Sequence, residues 1–74
     1  MTEFVRGDQV RVAPDAVPYP GKVGKVTLVD PTIRHGVSVE MHFKGFVQYL
    51  AYAPDELRLV GAVLTPGRTL ELEL

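Results

Sequence analysis

The sequence predicts a small all-β domain, and three observations carry that prediction. Apolar residues recur with a period of two along most of the chain, which is the pattern of strands with one buried face. Glycine and proline, seven and six among 74 residues, mostly fall between those runs. There is no cysteine, so neither a disulfide nor a thiolate metal site can staple so short a chain. Its strands must therefore close their own edges around one apolar core. The expected plan is a small barrel of five short strands over residues 1–60, with one helical turn before the fifth. A C-terminal β extension over 61–74 follows.

The elements can be justified in order. Gly7-Asp8 forms a turn into a first strand, where Val10 and Val12 alternate with Gln9 and Arg11. Pro14 to Gly21 is too rich in proline for helix or ladder and reads as an ordered loop. In the second strand Val26 and Leu28 alternate with Lys25 and Thr27, and Asp30-Pro31 ends it. Val37, Val39, Met41 and Phe43 face one way while Ser38, Glu40 and His42 face the other, the clearest half-buried strand. Lys44-Gly45 is a tight hairpin turn, because glycine accepts positive φ. Phe46 to Tyr52 is apolar or aromatic on both faces, as expected of a central strand or one that meets a partner. Pro54-Asp55-Glu56 suits a single helical turn, with proline first and carboxylates near its N-terminus. Leu57 to Val60 is the short fifth strand.

Eight lysines and arginines face nine carboxylates, for a net charge of −1, so no general attraction to nucleic acid follows. No apolar run approaches the length that crosses a bilayer, and Met1-Thr2-Glu3-Phe4 lacks the layout of a signal peptide. A cytoplasmic protein without membrane contact is expected.

Some residues match known families. Val5-Arg6-Gly7-Asp8-Gln9-Val10-Arg11-Val12, then Tyr19 to Asp30 with Gly21-Lys22-Val23-Gly24-Lys25-Val26, then Val37-Ser38-Val39-Glu40, resemble the KOW module of ribosomal large-subunit proteins and transcription elongation factors. The resemblance covers about half the chain and implies an SH3-like barrel. It also implies that Gly24 occupies the family's characteristic glycine position, where a bulge or a close backbone crossing turns the corner. Phe43 to Leu57, with Tyr52-Ala53-Pro54-Asp55-Glu56-Leu57, more weakly resembles the end of the variable chain of ferredoxin-thioredoxin reductase, without that family's long insertion. The Gly-Asp-x-Val-Arg start and Val47-Gln48 are similar to type II dihydrofolate reductases. Here, however, Val47-Gln48 stands two residues too far from the terminal Leu-Arg.

No catalytic residue, metal site or cofactor is expected. His35 and His42 lack a third ligand at suitable spacing, and Ser38 is the only serine. Asp8, Asp15 and Asp30 adjoin glycine or proline, where aspartate caps turns. The candidate binding surface lies between the Pro14 to Gly21 loop and the Lys44 hairpin. Tyr19, Phe46, Tyr49 and Tyr52 would supply stacking surface, and Arg11, Lys22, Lys25 and Lys44 a basic rim. The competing reading makes Phe46 and one tyrosine part of the core.

In the tail, Pro66-Gly67 suits a type II turn. Leu70, Leu72 and Leu74 then alternate with Glu71 and Glu73, as in a strand that pairs within the barrel or with a second copy. Two functions are expected: a KOW-like module that binds RNA, a ribosomal surface or the transcription machinery, or a protein-interaction or accessory subunit, self-associating through those leucines.

Overall fold

The computed structural model describes residues 3–68, and these are all-β apart from one short turn. In chain order they form β1 (Gln9–Val12), β2 (Val23–Val29), β3 (Val37–Phe43), β4 (Phe46–Tyr52), a 3-10 turn (Pro54–Glu56) and β5 (Leu57–Gly61). All neighbours are antiparallel, in the order β4-β3-β2-β1-β5. The first four strands are thus a meander, and the 3-10 turn carries the chain over to lay β5 beside β1. Among the described residues no helix is long and apolar enough to cross a membrane.

The alternation in the sequence becomes the core. Val10, Val12, Val26, Val37, Val39, Met41, Tyr52, Leu57 and Leu59 are all buried, with Phe4 and Ala16 closing the ends. At the hairpin, Gly45 takes φ 87° as the glycine of a tight turn, and Phe43 pairs with Phe46 across it.

Gly24 marks a close approach of two strands. A Cβ there would lie 2.8 Å from the Glu40 carbonyl oxygen and would clash with the Val39 side chain. The bulge itself falls a little further on. Val26 pairs with Val39 but Leu28 pairs with Ser38, so Thr27 is an extra residue, its hydroxyl donating to the Ser38 carbonyl at 3.2 Å. An inserted residue reverses the side-chain alternation beyond it. Leu28, expected to point inward with Val26, is consequently 64% exposed, and Val29 turns to the core side opposite Val37.

The turn before β1 does more than reverse the chain. The Asp8 side chain is fully buried. It accepts hydrogen bonds from the Val5 amide at 2.9 Å and the Val63 amide at 3.0 Å. Arg68 grips both its oxygens, with Nη1 2.8 Å from Oδ1 and Nη2 in contact with Oδ2. Arg68 also donates to the carbonyls of Val63 and Glu3, while its Nε is buried without a partner among the described residues. Burial by itself would raise the Asp8 pKa, but the Arg68 hydrogen bonds, the two amides and the guanidinium charge outweigh it and hold the carboxyl below its ordinary value.

β5 ends at Gly61, and a turn at Pro66-Gly67, with Gly67 at φ 76°, brings Arg68 into this contact. The expected strand bearing Leu70, Leu72 and Leu74 lies outside the described residues.

Candidate functional site

The loop and the hairpin that the sequence nominated do meet. The Tyr19 ring lies 4.9 Å from that of Phe43, tilted by 55°. Phe43 in turn stacks on Phe46 at 4.9 Å and 12°. The Lys22 ammonium sits 4.4 Å from the Phe43 centroid, a cation held over the electron-rich face of the ring. The Tyr19 hydroxyl donates to Gln48 Oε1 at 3.2 Å. Together these groups form a continuous shelf along one end of the sheet.

Local geometry fixes the shelf. Tyr19 holds φ 59°, a left-handed conformation that costs a non-glycine residue about 1–2 kcal/mol. Neighbouring contacts offset that cost: the Lys22 amide donates to the Tyr19 carbonyl, and the Tyr52 hydroxyl donates to the Pro18 carbonyl at 2.5 Å. Tyr52 is thereby the buried tyrosine, and its pKa is raised by burial first and by the nearby Glu56 and Tyr19 next. Phe46, the other residue with a competing core reading, is 57% exposed. It is shelf rather than core, because the strand runs beyond the apolar centre at the hairpin end.

The remaining candidates separate. Arg11 bends toward the loop, its Nη1 donating to the Gly21 carbonyl at 3.3 Å. Lys44 is exposed at the hairpin tip. Lys25 and Tyr49 pair with Glu40 from either side, so both stand on the opposite face of the sheet from Phe46. There the Glu40 carboxyl lies 2.7 Å from His42 Nε2. Its pKa is lowered by hydrogen bonds from His42 and Tyr49 and by the Lys25 charge. A single basic rim does not form: Lys22 and Lys25 serve different faces. Phe43, the central ring of the shelf, also packs half-buried against the core, as its place in the β3 alternation predicts.

Comparison with protein-family models, with curated proteins and with solved structures returns no match.

A second depression, of about 420 Å³, lies at the far end of β3, lined by Phe4, Val29, Ile33, Val37 and Pro54 with Glu3 and Asp30 at its polar margin. Its lining holds no cation, so it does not suit phosphate. Among the described residues no group of three or more histidines or carboxylates is placed to hold a metal ion.

Proposed function

We propose that this chain is a non-catalytic protein-interaction domain whose partner covers the Tyr19, Phe43 and Phe46 shelf. The observation that carries the reading is the stacked Phe43-Phe46 pair with Phe46 57% exposed. Large rings held rigidly at a surface lose little entropy when covered, and they anchor many protein interfaces. Charge supports the same choice. Lys22 is engaged over Phe43 and Lys25 stands beside Glu40 on the other face, leaving no continuous phosphate track.

The test is capture from a native lysate, with nuclease and over a salt series, using the parent chain and Phe46→Ala. A protein partner retained at high salt after nuclease, and lost with Phe46→Ala, supports the reading. Capture of nucleic acid alone overturns it.

The KOW-like reading keeps one favourable arrangement. Lys22 and Lys44 flank two stacked rings, the combination that single-stranded RNA uses for phosphate and base. It requires affinity for a labelled single-stranded RNA that falls steeply with salt and weakens with Lys22→Glu. A parent chain that does not bind that RNA at low salt removes this reading.

A further inference from the structure

We propose that β4 is a self-association edge: two copies pair antiparallel through Phe46–Tyr52, joining their sheets into one. β4 is the terminal strand of the sheet and pairs with β3 along its whole length on one side. In an antiparallel ladder every second residue directs its N–H and C=O away from the paired neighbour. Among the described residues, no backbone hydrogen bond outside the β3 ladder reaches β4.

Natural sheets protect such an edge with lysine, proline, a bulge or a very short strand. β4 has none of these defences. Its seven residues, Phe-Val-Gln-Tyr-Leu-Ala-Tyr, carry no charge, glycine or proline, and its register with β3 runs without a shift. Both of its faces expose apolar groups, Phe46 on one and Val47 and Tyr49 on the other. The opposite edge, β5, is defended: it is shorter, bears exposed Arg58, and has a register irregularity against β1.

Complementarity selects a second copy as the occupant. A two-fold axis at Tyr49 sets Val47 opposite Ala51, Phe46 opposite Tyr52, and each Tyr49 opposite its counterpart. The same axis brings Lys44, just before the strand, toward the Pro54-Asp55-Glu56 turn of the other copy. There Asp55 lies 3.9 Å from Arg34 and Glu56 3.8 Å from His35 of its own chain, so that Lys44 joins an existing charged cluster at each margin. A parallel arrangement would put like ends together.

The experiment is light scattering on a sizing column over a concentration series. The parent should approach twice the 8.2 kDa chain mass as concentration rises. Tyr49→Lys places like charges at the axis and should elute as a monomer that keeps the circular dichroism spectrum of the folded parent, since Tyr49 is 63% exposed. Tyr49→Glu should do the same, and an equimolar mixture of the two variants should recover the double mass. Leu72→Glu should leave the dimer intact. A parent that stays monomeric at millimolar concentration overturns the proposal. So does a dimer that survives Tyr49→Lys, or one that Leu72→Glu dissociates.

Discussion

Replacing Arg68 with methionine should strongly destabilise this domain. The substitution keeps an aliphatic side chain but leaves the Asp8 carboxylate, fully buried, without its cation. Breaking a buried pair by removing one partner costs about 3–5 kcal/mol, because the remaining charge is desolvated and uncompensated. The two amide hydrogen bonds from Val5 and Val63 persist, which favours the lower end of that range. A chain of this size has roughly 4–11 kcal/mol in total, so the loss takes about a quarter of it or more. In urea, with a slope of about 1 kcal/mol per molar, the midpoint should fall by about 3 M, read by circular dichroism. Asp8→Asn combined with Arg68→Met should recover part of the loss, since no charge is then buried. The pH dependence has a definite sign. Asp8 titrates below its ordinary value of 3.8 in the folded chain, so its contribution is complete above about pH 4 and is lost as pH falls through the folded value. Asp8→Asn should abolish that part of the acid transition. If Arg68→Met shifts stability by less than about 0.5 kcal/mol, the ion pair is not desolvated and the reasoning fails.

Other substitutions test other parts of the fold. Gly24→Val should cost more than about 2 kcal/mol, because its side chain meets the Glu40 carbonyl and Val39; thermal denaturation at the parental temperature would contradict the close approach. Leu28→Thr should change stability by no more than about 0.5 kcal/mol, since the bulge has already turned Leu28 to solvent, and a large drop in urea midpoint would refute that orientation. Tyr52→Phe should lose about 1 kcal/mol with its hydrogen bond to the Pro18 carbonyl, again read in urea. Phe46→Ala should abolish partner capture while lowering the melting temperature only slightly, consistent with the loss of one exposed ring stack.

Much of the fold was legible because it is local. Period-two alternation marks β1, β3 and the inner half of β2, and Lys44-Gly45 and Pro54 mark their own turns. The loop meeting the hairpin was legible too, since Tyr19 had few other surfaces to reach on a five-strand plan. The Thr27 bulge was not, because it depends on how two twisted strands share a register, and threonine there is ordinary strand composition. Alternation places Phe43 on the apolar face, and it does pack against the core; that its ring also carries the shelf is not visible, because alternation reports which face a side chain takes but not where along the strand the core ends. Composition alone groups Tyr49 with Phe46, although their spacing by an odd number of residues sends them to opposite faces. The role of Asp8 was only half visible. A glycine-aspartate pair announces a turn, but nothing near it in sequence points to an arginine sixty positions away.

The Asp8-Arg68 contact also orders events in time. β1 lies between β2 and β5, yet β5 and Arg68 are made after β1 to β4 when the chain is synthesised from its N-terminus. Until they emerge, burying Asp8 would desolvate a carboxylate with no cation to meet it, so the meander of β1 to β4 can form only with that corner left open to water. Contacts of such long sequence separation are slow to close. The Asp8 corner therefore stays hydrated until residue 68 arrives, even when β5 already lies beside β1.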